Sequence, residues 1–122
     1  MNLLESQIDN LSLSKLGEKA CQLFIAKDFQ RLADTFGYAM AYDRDIATAI
    51  ESDFIQCTKN SLQCGLLESV TIKNFKPNDT GLLSAIECIL LFDEGRRVLI
   101  ELIMTEHEDS KSLFLEDITA LA

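Results

Sequence analysis

The sequence lacks the features that mark an exported or membrane-embedded protein. The apolar run Ile89–Phe92 is far shorter than the ~20 residues that a helix needs to cross a bilayer. The first residues, Met1–Glu5, contain neither the basic region nor the long apolar region of a signal peptide. No repeat, linker or low-complexity stretch interrupts the chain, which predicts a single domain over residues 1–122. Together these absences predict a cytoplasmic protein that does not enter a membrane.

Cysteine and histidine are too sparse to predict a metal site. Cys21, Cys57, Cys64 and Cys88 are separated by 36, 7 and 24 residues, so no Cys-x-x-Cys pair occurs. Zinc sites usually draw their ligands from such close pairs, and His107 is the one histidine available. Without an export signal a disulfide framework is not expected either. The cysteines are interpreted as buried thiols that act as small apolar side chains.

The composition argues against a nucleic-acid-binding protein, a protein with a phosphate-binding loop, and an enzyme with a catalytic triad. Eleven Lys and Arg against twenty Asp and Glu give a net charge of −9, whereas nucleic-acid binding depends on basic groups. Five scattered glycines form no phosphate-binding loop, and the single histidine has no nucleophile in a recognisable catalytic context. No cofactor is expected. The acidity fits solubility alone or a basic protein partner.

Residues 14–62 have the apolar periodicity of three helices. Ser14 is a plausible N-cap for the first helix. Asp28 can cap the second helix, and Gly37 is a suitable residue to end it. Before this region, residues 1–13 predict a short leading helix or an extended arm.

The link between the second and third helices is harder to assign. Residues 37–42 alternate large and small side chains, which favours a short strand, although continuation of the helix is also open. Asp43-Arg44-Asp45 then supplies a turn, in which Asp43 or Asp45 can cap the third helix.

Residues 66–120 change to the periodicity of strands. Pro77–Gly81 predicts a turn, and Asp93–Gly95 between two apolar runs is a strong hairpin signal. A three-residue loop places Phe92 opposite Arg96, whereas a two-residue loop would slip the register and mix the two faces. We therefore favour the three-residue loop. One face is then wholly apolar and should meet the helices: Ile86, Cys88, Leu90, Phe92, Val98, Ile100, Leu102 and Met104.

The opposite face of this hairpin is mixed, although an antiparallel sheet usually leaves a polar face in water. A half-apolar outer face indicates a covering partner. The simplest partner is another copy of the chain, which predicts a homodimer through the sheet. The residues of this face are Leu83, Ala85, Glu87, Ile89, Leu91, Leu99, Glu101 and Ile103.

The stretch Ala20–Phe24 followed by Asp28–Phe36 resembles the opening of the nuclear transport factor 2-like superfamily, also called the cystatin-like fold. There an Asp-Phe-x-x-Leu-Ala pattern starts the second helix, and a short strand and a third helix precede four antiparallel strands. The resemblance covers residues 14–120 in topology. It implies an α+β fold in which three N-terminal helices pack on a strongly bent, mostly antiparallel sheet.

The same resemblance implies a conical pocket between the sheet and the helices, and often a homodimer through the sheet. The superfamily includes isomerases, cyclases and non-catalytic accessory domains, so it does not select one function. Its enzymes resembling ketosteroid isomerase place a carboxylate base and hydroxyl donors in the pocket. Those roles cannot be matched residue by residue in this chain.

Tyr38, Tyr42, Asp43 and Asp45 form the most site-like cluster. A tyrosine that faces a pocket beside a carboxylate could polarise a carbonyl or move a proton. The favoured interpretation is structural, with the tyrosines packed on the end of the sheet and the aspartates capping the third helix. Tyr38 and Met40 are also candidates for lining a pocket or an interface. A lone Asp-x-Asp is too common to predict a metal.

Glu87 and Glu101 are the second candidate pair for a pocket or interface. In the favoured register they lie opposite each other on the outer face, where two carboxylates repel. One of them would then bind a proton more readily, or Arg97 would help to neutralise them. They could act as an acid and base or a metal-binding couple, but a polar spot on a wet surface or in a dimer interface is favoured.

The preferred hypothesis is a non-catalytic, homodimeric binding or accessory protein that binds a small apolar ligand or a protein partner. An isomerase- or cyclase-like enzyme that uses Tyr38, Tyr42 and Asp43 or Asp45 is the first alternative. An acidic inhibitor or immunity-type protein that covers a basic active site is the second.

Overall fold

The helical half of the chain folds as three helices in the computed structural model, which describes residues 1–59 and 65–121. None of these helices is both long and apolar enough to cross a membrane, within the residues that the structure describes. The helices are α1 (Asn10–Ile25), α2 (Phe29–Phe36) and α3 (Ile46–Thr58).

The second half forms an antiparallel, strongly curled sheet, which confirms the predicted α+β class with its N-terminal helices. A two-residue strand from the start of the chain joins its far edge, so the spatial order is β1-β5-β4-β3-β2. The strands are β1 (Asn2–Leu3), β2 (Leu66–Asn74), β3 (Leu82–Leu91), β4 (Arg97–His107) and β5 (Ser110–Leu121).

Aspartate caps begin all three helices. The Asp28 carboxylate accepts from the Arg31 amide and begins α2, as predicted. Of the two candidate caps for α3, Asp43 and Asp45, it is Asp45 that accepts from the Thr48 amide and begins the helix. The prediction that Ser14 caps the first helix is wrong. Asp9 accepts from the Ser12 amide at 3.2 Å, so α1 begins a full turn earlier than its apolar stripe suggested. The predicted arm therefore shortens to β1 and a single 3-10 turn.

Residues 37–42 do not form the predicted strand. Ala39–Ala41 is a 3-10 turn, and only Tyr38 makes a β-bridge, which is parallel and pairs with Leu115 of β5. The reason is that the Arg44 guanidinium binds the main-chain oxygens of Met40 and Ala41, which a strand would use for its ladder. Gly37 ends α2 with a φ of 69°, where glycine avoids the strain of a side chain.

The hairpin register agrees with the three-residue loop. The Phe92 amide donates to the Arg96 oxygen at 2.7 Å around Asp93–Gly95, and Leu90 pairs with Val98. All eight side chains of the predicted inner face are buried. The inner face therefore meets the helices, as the alternation of the strand residues predicted.

Aromatic rings fill the layer between the helices and the sheet at one end. Phe54 of α3 lies with its ring centroid 4.9 Å from that of Phe24 and 5.8 Å from that of Phe92. At the other side of this layer Gly17 of α1 lies so close to β3 that an added Cβ would be 2.8 Å from the Ile86 side chain. The resemblance predicted a pocket in this layer, and these packed side chains occupy part of it.

Candidate functional site

A buried tyrosine links the segment after α2 to the middle of α3. Tyr38 has 8% of its surface exposed, and its hydroxyl donates to Asp53 Oδ2 at 2.6 Å. The Arg44 guanidinium donates to both oxygens of the same carboxylate, at 2.9 Å and 3.1 Å. Two donors therefore converge on Asp53, and these three side chains are called the Tyr38 cluster below.

The Tyr38 cluster also fixes the main chain around it. Arg44 donates from Nη2 to the Met40 oxygen at 2.7 Å and from Nε to the Ala41 oxygen at 3.2 Å. A planar guanidinium with several donors suits this arrangement, because it can bind a carboxylate and main-chain oxygens at once. The cluster therefore holds the 3-10 turn against α3.

The electrostatics of the cluster oppose proton transfer. The hydrogen bond from Arg44 lowers the pKa of the Asp53 carboxyl. Burial raises the pKa of the Tyr38 hydroxyl, and its bond to Asp53 raises it further. Near neutral pH the tyrosine keeps its proton, and the ionised carboxylate already accepts from two side chains. This arrangement suits a structural brace better than an acid–base pair.

The other members of the sequence-predicted cluster lie apart from Tyr38 in exposed positions. Tyr42 has 78% of its surface exposed, and its hydroxyl lies 3.5 Å from the Met40 sulfur. Asp45 accepts from the Thr48 amide at 3.0 Å and from the Thr48 hydroxyl at 2.9 Å. The hydrogen bond from the Thr48 amide lowers the pKa of the Asp45 carboxyl. Asp43 is exposed beside it. The chain does not bring the four predicted residues around one cavity.

Sequence reasoning missed Asp53 and Arg44, the two residues that complete the cluster. Arg44 stood inside a segment interpreted only as a turn. Asp53 lies one position before Phe54, an apolar residue within the predicted third helix. A polar residue beside a buried helix position is the one sequence feature that could have drawn attention to Asp53. That feature does not identify a hydrogen-bond partner 15 residues away.

The three cysteines that the structure describes show no sign of an activated thiol. Cys21 and Cys88 are fully buried, and a hydrogen bond with Cys88 together with burial raises the pKa of the Cys21 thiol. Burial also raises the pKa of Cys57, whose sulfur lies 3.7 Å from the Ile118 oxygen. Cys64 lies outside the described residues.

An open, polar groove of about 530 Å³ lies on the outside of α1 and α2. It mixes acidic and basic side chains, and a groove so exposed offers a ligand little apolar surface. Within residues 1–59 and 65–121, no three His, Cys, Asp or Glu side chains are grouped to hold a metal ion. The groove is lined by Lys19, Asp28, Gln30, Arg31, Asp34 and Thr35.

The outer face of the sheet carries several half-buried apolar side chains. Side chains that are paired on neighbouring strands form rows that run across the sheet. Ile89 pairs with Leu99 in one apolar row, and Ile103 pairs with Phe114 in another. All three helices pack against the opposite face. The half-buried apolar side chains of the outer face are Ile89, Leu91, Leu99, Ile103, Phe114 and Leu121.

A row of carboxylates lies between these two apolar rows. Glu87 of β3 pairs with Glu101 of β4, as the favoured register predicted, and Glu101 in turn pairs with Asp117 of β5. These three residues are called the carboxylate row below. Burial, and then the neighbouring Glu87, raise the pKa of the Glu101 carboxyl.

The cation beside this row is not the one suggested by the sequence. Lys73 of β2 binds Glu87 at 2.7 Å. Arg97 instead binds Glu68 at 2.6 Å, so the suggestion that Arg97 neutralises the pair is wrong. The reason is the register: Arg97 lies two rows away from Glu101, and Lys73 approaches Glu87 from the neighbouring strand.

Comparisons with protein-family models, with curated proteins and with solved structures yielded no match for this chain.

Proposed function

We propose that this protein is a cytoplasmic, non-catalytic binding protein that works through the outer face of its sheet, where it holds a second copy of itself. The observation that carries this proposal is the pair of apolar rows around Leu99 and Ile103, which no helix in the described residues covers. Exposed apolar surface on a soluble protein often marks an interaction site.

The size of the face supports a dimer. Four strands about 4.8 Å apart and roughly nine residues long have a planar footprint on the order of 600 Å². The pleat and the side chains increase the accessible area above this footprint. Specific complexes bury about 600–1,000 Å² on each partner, so contact over the whole face would reach the lower end of this range.

We also propose that the fold is of the nuclear transport factor 2-like kind. The order of helices and strands supports this, as does the parallel bridge between Tyr38 and Leu115. That bridge stands where the superfamily pattern has its short strand between the second and third helices. A small apolar ligand between the sheet and the helices would be a further property of this fold.

A test of the dimer needs a variant that removes apolar surface but keeps strand propensity. The double substitution Ile89→Thr and Leu99→Thr does this, because threonine is a good strand former. Leu11→Thr with Ile55→Thr is the matched control, since these two side chains are 66% and 47% exposed on the helical side. Sedimentation should show a dimer for the wild type and the control, and a monomer for the sheet-face variant. A wild type that stays monomeric at micromolar concentration in both mildly acidic and neutral solution would refute the proposal.

The carboxylate row favours one other function, an acidic inhibitor that covers a basic site on another protein. The row, together with the net charge of −9, complements a cationic surface. Binding of this kind weakens as salt rises, because charges are screened. A captured basic partner that 0.5 M salt (about a 4 Å screening length) does not release would speak against this second function.

An isomerase- or cyclase-like activity at Tyr38 has less support. Such an enzyme needs a carboxylate that is available to substrate, whereas the Asp53 carboxylate already accepts from Tyr38 and Arg44. The test is activity toward small carbonyl compounds that depends on Tyr38, and we expect none.

A further inference from the structure

The carboxylate row creates a conflict for the proposed dimer. The row lies between two apolar rows, one that contains Leu99 and one that contains Ile103. A two-fold axis that lies in the interface and passes over the centre of the face places apolar rows against apolar rows. The same axis places the carboxylate row of one copy against that of the other. Like charges that lose water on association cost free energy unless they are neutralised.

Glu101 is the member of the row best placed to take up a proton. Glu87 has the Lys73 ammonium at 2.7 Å. Asp117 accepts from the Ile118 amide at 2.9 Å and from the Thr119 hydroxyl at 2.8 Å. In the described part of the chain no Lys or Arg nitrogen forms a salt bridge with Glu101.

The groups that face Glu101 come from three strands. Glu87 lies beside it on β3, Asp117 and Glu116 lie beside it on β5, and the Lys73 ammonium acts on it from β2. Acidic groups outnumber the single cation, and that cation is already bound to Glu87. The environment of Glu101 therefore favours its neutral form before any partner arrives.

We propose that two copies of this chain associate at the outer sheet face by taking up protons at Glu101, so that the dimer forms more strongly in mildly acidic solution. This inference rests on the proposed function, because it concerns the same face. A protonated Glu101 donates a hydrogen bond to a carboxylate across the interface, which converts a repulsion into a contact.

Proton uptake has a measurable consequence for the association constant. For each proton taken up per dimer, the constant changes about tenfold per pH unit between the carboxyl pKa of the monomer and that of the dimer. The dimer is favoured below this window and weakened above it. A basic partner has the opposite dependence, because protonation of the row removes the charge that attracts it.

The test measures dimerisation by sedimentation from about pH 5 to about pH 8, a range that lies above the ordinary carboxyl pKa. We expect the wild type to dimerise more strongly at the acidic end. Glu101→Gln, a neutral side chain of the same shape, should give a strong dimer across the whole range. Glu51→Gln on the exposed side of α3 is the control for the loss of one negative charge and should keep the wild-type dependence.

Two further measurements keep the result interpretable. The sheet-face variant Ile89→Thr with Leu99→Thr should not associate at the acidic end, which excludes general aggregation near the isoelectric point of about 4.4. Calorimetric dilution of the wild-type dimer in two buffers of different ionisation enthalpy counts the protons directly and needs no variant.

The outcomes separate the two proposals. A dimer whose strength does not change with pH, or that releases no proton on dilution, overturns the proton coupling and leaves the dimer intact. A protein that stays monomeric at every pH, also as Glu101→Gln, overturns the proposed function itself. Stronger binding of a basic partner at high pH would instead favour the inhibitor function.

Discussion

The Tyr38 hydroxyl and the Asp53 carboxylate lie 2.6 Å apart and join two segments that are 15 residues apart in the chain. Arg44 donates to both oxygens of the same carboxylate. The turn after α2 is therefore held to α3 by one shared acceptor. Removal of the Asp53 acceptor should consequently lower the free energy of unfolding more than removal of either donor.

This asymmetry gives a prediction about stability. Tyr38→Phe removes one hydrogen bond and should lower the free energy of unfolding by about 1 kcal/mol. Asp53→Asn removes the charge that Arg44 binds and weakens both contacts, so it should cost about 2 kcal/mol. Urea unfolding measures both values, with the exposed Asp43→Asn as the control. Equal losses for the two cluster variants would contradict the shared-acceptor interpretation.

The same cluster predicts how Tyr38 titrates. Its pKa is raised by burial and by Asp53, so the folded state disfavours ionisation. The contribution of Tyr38 to stability is then complete below the ordinary tyrosine pKa of about 10 and is lost as the pH rises above it. Absorbance of tyrosinate should show that the Tyr38 step coincides with unfolding, with Tyr38→Phe as the reference. A separate step near pH 10 in the folded protein would be inconsistent with this environment.

The two aspartates before α3 should respond differently to substitution. Asp45→Ala removes the acceptor for the Thr48 amide and hydroxyl and should lower the denaturation midpoint. Asp43→Ala removes a carboxylate for which the structure shows no such bond, and the midpoint should stay close to that of the wild type. Thermal unfolding followed by circular dichroism makes the comparison. A larger effect of Asp43→Ala would mean that the cap has been misassigned.

Glu101 should destabilise the folded chain at neutral pH. Burial and the neighbouring Glu87 raise its pKa, so the folded state binds a proton more tightly than the unfolded state does. Stability therefore falls as the pH rises from the unfolded pKa of about 4.5 through the higher folded value. Glu101→Gln should raise the urea midpoint at neutral pH and leave it unchanged near pH 4. These measurements belong at a protein concentration where the chain is monomeric.

The strand half of the fold could be predicted because its signals are local. Alternation of period two sorted the residues of β3 and β4 onto two faces, and the three-residue loop fixed their register. The pairing of Glu87 with Glu101 followed from this register alone. The caps at Asp28 and Asp45 were also predictable, since each side chain binds an amide only three residues away.

The parts that were missed depend on distant contacts. Residues 37–42 have a strand-like pattern, but Arg44 takes the main-chain oxygens that a ladder would need. The partner of Arg97 was wrong because Glu68 lies on a strand whose register the sequence did not fix. The Tyr38 cluster was only half predicted, because Asp53 meets Tyr38 across a turn of the fold rather than along one element.

A single unpaired residue sets the orientation of the end of β5. Leu115 pairs with Leu102 and Asp117 pairs with Glu101, so Glu116 lies between them without a partner on β4. Because strand side chains alternate, this one extra residue decides which way everything after it points. If Glu116 instead took a regular place in the pairing with β4, Ile118 would turn to the surface and Asp117 would turn into the core. In-frame loss of the Glu116 codon leaves Leu115 followed directly by Asp117 and keeps both pairings, so this deletion should leave Ile118 in the core.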